Sequence, residues 1–203
     1  MTVDSIRRTS GERYTVTVDG EDIPSTLGAV TDMLLFEGKT IDGEQLEKLK
    51  LLSVRSLGRE EALNIVSRRQ MSSGELKKKM REKGYSDDVA GYCAGWLEDN
   101  GFLNDLRYAE AVVRHYWAKG YGAGRIKSEF IKRYIDRDLW DEALEEINED
   151  SSAIDRLVAS KLKGSTDREQ IARVSNMLYR RGYSWDEIRQ AVSRAGARDD
   201  FEP

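Results

Sequence analysis

Cysteine and histidine are nearly absent from this chain. Its 203 residues include one cysteine, Cys93, and one histidine, His115. A single cysteine excludes an internal disulfide framework and any zinc or iron–sulfur site that needs several thiolates. His115 has no cysteine or acidic pair at ligand spacing, so a surface or packing role is expected for it. The sequence therefore predicts a protein of a reducing, cytoplasmic compartment with no bound metal or cofactor.

Proline, aromatic residues and long apolar runs are also scarce. There are two prolines, and aromatic residues make up 8% of the chain against 34% for charged ones. This composition is typical of a helical protein and not of a β-sandwich or barrel. No apolar run approaches the roughly 20 residues that a membrane span needs, and the N-terminal residues lack the apolar segment of a signal peptide. We expect no membrane association.

Alternating polarity distinguishes the first part of the chain. Tyr14, Val16 and Val18 alternate with threonines, which predicts a strand over residues 13–18. Asp19-Gly20 is a strong hairpin signal, with a return strand over residues 21–24 and an edge strand over residues 3–8. Apolar residues at helical spacing then predict a helix ending at Gly38 and a separate helix over residues 41–52. Residues 1–56 are predicted to form a small α+β cap.

From residue 57 onward the sequence repeats a three-helix unit. Leu76, Ile126 and Val174 occupy equivalent positions, 50 and 48 residues apart. A period of this size predicts tandem helical units that each bury one face against the next. The predicted fold is mainly α, with three-helix repeats at residues 57–103, 104–149 and 150–203 in an elongated, curved array.

Helix-boundary signals recur in these units. Each capping box pairs a hydroxyl with a carboxylate three residues later, so that both accept orphan backbone N–H groups. The second helix of each unit ends at an equivalent residue, where a left-handed turn is expected. The predicted boxes are Ser72-x-x-Glu75, Thr166-x-x-Glu169 and Ser184-x-x-Glu187, and the equivalent turn residues are Gly84, Tyr134 and Gly182.

Charge is segregated within the units although the total is acidic. The net charge is −4, which argues against indiscriminate binding to nucleic acid. Residues 68–83 and 107–133 each carry +5 and residues 168–181 carry +3, whereas residues 136–150 carry −7. Such runs are often ordinary solvated faces. Their recurrence on equivalent helices, with tyrosines interleaved, also fits a groove that follows a phosphate backbone or an acidic protein surface.

Two further patterns resemble catalytic sites only superficially. The run Gly120-Tyr121-Gly122-Ala123-Gly124 has no preceding strand and no following Gly-Lys-Ser/Thr, so a turn between helices is expected instead of a nucleotide loop. The acids Asp141, Glu142, Glu145 and Glu146 are expected on a solvated helix face. Cys93 lies on an apolar helix stripe, as expected for a buried structural thiol. The sequence predicts no catalytic residue and no enzyme.

Specific residues in the middle of the chain resemble a known family. The run from Asn100-Gly101-Phe102-Leu103 through Arg107-Tyr108-Ala109, followed by Lys119-Gly120-Tyr121-Gly122 and Arg125-Ile126 with Glu129, is similar to the signature of the RecX regulatory proteins of bacteria. Ala62-Leu63, Ser72-x-x-Glu75-Leu76 and Lys83-Gly84-Tyr85 resemble the preceding part of that pattern. The match covers residues 59–133 and is weaker in the third unit. Ala123 departs from the family's usual proline, and Asn104 from its common aspartate.

The resemblance implies a regulator of the RecA recombinase. Such a protein is expected to bind in the groove of the RecA–DNA filament or at its growing end, to limit filament extension, and thereby to repress recombination and the SOS co-protease activity. The alternative is a nonspecific DNA-binding helical repeat protein without direct RecA contact. We expect a monomer whose partners are the RecA filament and, weakly, single- or double-stranded DNA. The predicted RecA- or DNA-binding residues are Arg107, Tyr108, Arg114, Lys119, Tyr121, Arg125, Lys127, Lys132 and Arg133.

Overall fold

The computed structural model describes residues 1–148 and 151–196, which form two compact units. The first unit comprises Met1–Gln70 together with Leu76–Leu103, and the second comprises Met71–Glu75 together with Asn104–Pro203. Within the described residues, no helix is long and apolar enough to cross a membrane.

The first unit begins with a three-stranded antiparallel sheet. Strands β1 (Val3–Ser10), β2 (Arg13–Val18) and β3 (Glu21–Thr26) lie in the order β1-β2-β3. Asp19 and Gly20 both have positive φ, 45° and 81°, as the predicted two-residue hairpin turn requires. Val16 and Ile23 pair across the strands and are buried, so one face of the sheet contributes to the core.

Helices complete the first unit. They are α1 (Leu27–Asp32), α2 (Gly43–Val66), the part of α3 (Ser73–Glu82) that begins at Leu76, and α4 (Asp87–Asp99). The prediction of a helix reaching Gly38 was wrong, because α1 ends at Asp32 and the chain turns through Leu34, whose φ is 49°.

The prediction of a separate helix over residues 41–52 was also wrong, because α2 is one helix of 24 residues that continues to Val66. Its first half faces the sheet, where Ser53 is hydrogen-bonded to Ser25 at 2.8 Å. Its second half crosses α4 at Gly58, where an added Cβ would lie 2.9 Å from the Cys93 sulfur. One continuous helix therefore packs against both the sheet and the first three-helix group.

The second unit contains the other two helical groups. One consists of α5 (Asp105–Ala118), α6 (Ala123–Lys132), a 3-10 turn (Arg137–Leu139) and α7 (Trp140–Asn148). The other consists of α8 (Ser152–Leu162), α9 (Arg168–Arg180) and α10 (Trp185–Arg194). Each has its own buried cluster, with Phe130 at the centre of the first and Leu178 at the equivalent position of the second.

The repeat equivalences extend to backbone conformation. Gly84, Tyr134 and Gly182 have φ values of 92°, 55° and 92°, so all three helix ends use the left-handed turn. The fold class is confirmed: a mainly helical chain with three helical repeats and a small N-terminal sheet. The domain boundaries and the curvature of the array stay predictions.

The predicted caps have three different outcomes. The Ser184–Glu187 box is confirmed in both directions. The Ser72 hydroxyl accepts a hydrogen bond from the Glu75 backbone N–H at 3.0 Å. The Thr166 box was wrong, because α9 is capped one residue later by Asp167, which accepts from the Gln170 N–H. The side chains of Glu146 and of the acids at positions 149 and 150, and the tail after Gly196, lie outside the described residues.

Candidate functional site

The predicted contact residues lie on α5, on α6 and in the glycine-rich turn between these helices. Asn104 starts α5 by accepting a hydrogen bond from the Arg107 backbone N–H at 2.8 Å. α6 begins at Ala123, directly after the turn. The structure divides the predicted residues into a compact group and several isolated side chains.

The compact group surrounds a buried carboxylate, Glu129, which is 4% exposed. Its oxygens accept hydrogen bonds from the Tyr116 hydroxyl and the Lys132 ammonium, both at 2.9 Å, and from the Arg133 guanidinium. The Arg125 guanidinium lies 3.3 Å from a Glu129 carboxylate oxygen. We call Tyr116, Arg125, Glu129, Lys132 and Arg133 the Glu129 cluster.

The electrostatics of the cluster keep Glu129 ionised. Burial by itself raises the pKa of a carboxyl group, but hydrogen bonds from Arg133, Lys132 and Tyr116 outweigh burial and lower the pKa of Glu129 to about 2. The carboxylate neutralises one of the three surrounding cations, so the cluster as a whole carries +2. Lys132 keeps 59% of its side chain exposed and Arg125 keeps 42%, so both charges remain accessible.

Tyr121 extends this surface beyond the Glu129 cluster. The rings of Tyr116 and Tyr121 lie 5.7 Å apart, centroid to centroid. The Arg133 guanidinium lies 5.6 Å from the Tyr116 ring, and the Arg125 guanidinium lies 5.9 Å from the Tyr121 ring. Such cation–π contacts attract the guanidinium groups to the faces of the rings.

Arg181 belongs to the same surface, although sequence reasoning did not select it. Its guanidinium lies 5.5 Å from the Tyr121 ring and donates hydrogen bonds to the carbonyl oxygens of Lys119 and Gly120 at 3.1 and 3.2 Å. The repeat contained a signal, because a basic residue precedes each left-handed turn residue, as Lys83, Arg133 and Arg181 do.

Of the remaining predicted residues, Lys119 borders this surface, with its ammonium 6.0 Å from the Tyr116 ring centroid, and the other four do not belong to it. Arg107 is exposed on α5, and Arg114 is paired with Glu110 at 3.7 Å. The Lys119 ammonium lies 2.9 Å from the exposed His115 ring nitrogen. Tyr108 packs against the core of its repeat. Lys127 lies about 200° around α6 from Arg125, because each residue turns an α-helix by about 100°.

Backbone N–H groups at the start of α6 are hydrogen-bonded to carbonyl groups at the end of α9. The Gly122 N–H donates to the Arg181 carbonyl at 3.0 Å, and the Gly124 N–H donates to the Gly182 carbonyl at 2.9 Å. In a nucleotide-binding loop such N–H groups face phosphate. Here they face carbonyl oxygens of the neighbouring repeat, so the glycine-rich run is a packed turn, as expected.

An open cleft of about 490 Å³ lies beside this junction. Arg125 and Ser128 of α6 line one side, and Tyr179, Arg180 and Glu187 line the other. Tyr179 stacks on Trp185 with ring centroids 5.0 Å apart and remains 53% exposed. The junction of these two repeats thus combines accessible cations with exposed aromatic rings.

The fold and this surface together define a protein of tandem three-helix repeats that presents cations and aromatic rings at a junction between repeats. Three family models match it in order: the first three-helix domain of RecX at residues 59–93, the second at 104–144 and the third at 152–192. The chain belongs to the RecX family of regulatory proteins.

Individual relatives support this assignment. The chain is 33% identical over 147 residues to a regulatory protein RecX of Vibrio campbellii, covering 71% of this chain and 95% of the relative. It is 27% identical to that of Caldanaerobacter subterraneus, over 93% of this chain and 96% of the relative.

Solved structures show the same fold. A crystal structure of a regulatory protein RecX matches 95% of this chain and 98% of its own with a TM-score of 0.74 and 17% identity. That of RecX from Lactobacillus salivarius matches 70% of this chain and 97% of its own with a TM-score of 0.61 and 23% identity.

Proposed function

We propose that this protein regulates RecA-dependent recombination by binding the RecA–DNA filament and limiting its extension. Membership of a family of regulatory proteins supports a regulatory role in recombination. The observation that carries the contact proposal is the cationic, aromatic surface around Tyr121, whose ring lies 5.9 Å from the Arg125 guanidinium and 5.5 Å from the Arg181 guanidinium. Repression of the SOS co-protease activity follows if the filament is kept short.

The proposed contact is electrostatic at its rim and aromatic at its centre. Lys132 and Arg125 would meet DNA phosphates or acidic RecA side chains, while Tyr121 supplies contact area. The buried Glu129 holds both cations in place without discharging the surface. The protein would act as a cytoplasmic monomer by occupying filament sites, with no catalytic step of its own.

The test is RecA ATPase activity on single-stranded DNA with increasing amounts of this protein. We expect inhibition at stoichiometric amounts. Lys132→Gln and Tyr121→Ser should each raise the concentration for half-inhibition about 3- to 30-fold, the usual range for one interface contact. Arg156→Gln on α8 removes an exposed cation outside the described surface and should have no effect. Full RecA activity at a stoichiometric amount of the wild-type protein would contradict the proposal.

Nonspecific DNA binding without RecA contact is the second candidate, favoured by the same combination of cations and tyrosines. In that case the wild-type protein should bind DNA with an affinity that falls steeply with salt. It should then show no binding to RecA in the absence of DNA. Separate titrations with DNA and with RecA distinguish the two candidates.

A further inference from the structure

A second arrangement of arginines and aromatic rings lies in the first unit and contains none of the predicted RecA- or DNA-binding residues. The Arg55 guanidinium lies 4.5 Å from the Tyr92 ring centroid, and the Arg59 guanidinium lies 5.3 Å from that of Trp96. Trp96 in turn stacks with Phe102 at 6.4 Å and an interplanar angle of 24°. We call Arg55, Arg59, Tyr92, Trp96 and Phe102 the arginine–aromatic ladder.

The ladder results from the spacing of its residues along α2 and α4 and from the close crossing of these two helices. The two arginines are four residues apart on α2, and Tyr92 and Trp96 are four residues apart on α4, so each pair lies along one helix face. Gly58 lies between the arginines and contacts Cys93, which lies between the two rings. Because Gly58 has no side chain, the helices approach closely enough for each guanidinium to reach a ring on the other helix.

The ladder arginines keep their hydrogen-bonding edges available. Within the described residues, neither Arg55 nor Arg59 has a carboxylate oxygen within 4.0 Å. The acids that follow them on α2 are used elsewhere: Glu60 pairs with Arg13 at 3.0 Å, and Glu61 pairs with Lys83 at 2.9 Å. A guanidinium stacked on a ring still presents its N–H groups at its edge, where a phosphate can accept them.

The outer end of the ladder is an exposed apolar ring. Phe102 is 58% exposed although it is large and hydrophobic. It follows Gly101, whose φ of 74° turns the chain sharply at the end of α4. The ladder thus offers an aromatic surface next to two unneutralised cations.

We propose that the arginine–aromatic ladder binds single-stranded nucleic acid. A base stacks on the Phe102–Trp96 end, and the neighbouring phosphates accept hydrogen bonds from Arg59 and Arg55. A duplex fits this surface less well, because its base faces are already covered by neighbouring base pairs. An acidic peptide would use the cations but leaves the exposed ring without a role. This site goes beyond the proposed function, because it consists of other residues, those of the first unit, and prefers single strands.

The test uses the full-length chain and oligo(dT) in the absence of RecA, so that its failure is distinct from failure of RecA regulation. Binding is followed by fluorescence anisotropy of the labelled oligonucleotide and by intrinsic tryptophan fluorescence. Phe102→Leu keeps an apolar side chain but removes the stacking face, and should weaken binding about 5- to 100-fold. Arg59→Gln should weaken binding and reduce the salt slope by about 0.7.

Two matched variants separate the ladder from general effects. Lys48→Gln removes one exposed positive charge from the same helix as Arg59 and should leave oligo(dT) affinity within twofold. Trp96→Phe keeps a stacking ring, so binding should persist while the tryptophan quenching that accompanies it disappears. Trp117, Trp140 and Trp185 remain as unquenched internal references.

Several results would overturn the inference. Equal losses in Arg59→Gln and Lys48→Gln would indicate only general charge attraction. Quenching that persists in Trp96→Phe would place the base elsewhere. Equal affinity for a duplex of the same length would remove the role of the exposed ring. Unchanged oligo(dT) binding with lost RecA binding in Phe102→Leu would make the ladder a protein-docking surface instead.

Discussion

Glu129 illustrates, at the scale of one residue, how an acid inside a basic run acquires a structural role. In the sequence it is one of two acids among seven cations between residues 107 and 133. In the structure it is buried and accepts hydrogen bonds from Lys132, Arg133 and Tyr116. Without this carboxylate, the surrounding cations would repel one another across a buried site.

We expect Glu129→Gln to lower the free energy of unfolding of the second unit by about 3 kcal/mol at pH 7. The estimate follows from the lowered pKa of Glu129, about 2 against an ordinary 4.5. Urea denaturation measures the change. Glu110→Gln is the matched control, because its pair with Arg114 is exposed and should contribute less than about 1 kcal/mol.

The same residue predicts a pH dependence with a definite sign. Since the pKa of Glu129 is lower in the folded than in the unfolded state, its stabilisation is complete above about pH 4.5. It is lost as the pH falls from there towards 2. The difference in unfolding free energy between wild type and Glu129→Gln should therefore shrink over this window. A difference that stays constant from pH 5 to pH 3 would contradict the assignment.

Cys93 predicts low reactivity. Burial raises the pKa of its thiol to about 11, and Arg59 and Arg55 oppose this only partly. Because the thiolate is the reactive form, labelling by a thiol reagent at pH 7 should be far slower in the folded protein than in urea. Rapid labelling of the native protein would contradict the buried position.

At the scale of elements, the junction between repeats is a head-to-tail contact of helices. The Gly122 and Gly124 N–H groups at the start of α6 donate to the Arg181 and Gly182 carbonyl oxygens, respectively, which follow α9. Backbone groups at the two helix ends are therefore paired with each other. The preceding segment makes a related contact, since the Ser72 hydroxyl donates to the Arg133 carbonyl and an added Cβ at Gly74 would clash with the Tyr134 carbonyl oxygen. Within the second unit, small residues and backbone groups at the helix ends thus form these contacts.

Alanine substitution should have opposite effects at two glycines, one at the junction and one outside it. An added Cβ at Gly122 would lie 2.6 Å from the Gly182 carbonyl oxygen, so Gly122→Ala should destabilise the second unit by about 1–3 kcal/mol. Gly91 is inside α4, and nothing lies within 4 Å of its added Cβ. Gly91→Ala should stabilise the protein by about 0.5–1 kcal/mol, because alanine has the higher helix propensity. Thermal denaturation of both variants checks this, and equal shifts would contradict it.

At the scale of the whole molecule, the two compact units predict two unfolding steps. In a Trp96→Phe background the remaining tryptophans all belong to the second unit, whereas Cys93 belongs to the first. Adding Glu129→Gln should move the fluorescence midpoint to lower urea and leave the midpoint of Cys93 labelling in place. Equal shifts of both midpoints would show that the chain unfolds as one cooperative unit.

Much of the architecture was determined by the sequence alone, because it depends on residues close together in the chain. The Asp19-Gly20 hairpin, the Ser184–Glu187 capping box and the left-handed turns at Gly84 and Gly182 each rest on a few adjacent residues and were predicted. Tyr134 kept the same turn without a glycine, since its place in the repeat imposes it. The period of about 50 residues predicted the three-helix units, because the repetition is visible in the sequence itself.

Tertiary structure decided what depends on residues distant in the chain. It extended the helix predicted over residues 41–52 to Val66, because the sheet and α4 pack against the same continuous helix, α2. It also selected which cations share Glu129, and brought Arg181 to Tyr121 from 60 residues away. Helical periodicity predicts which face of a helix is buried, but not which neighbouring helix covers it, so the grouping of charged and aromatic side chains follows only from the packing.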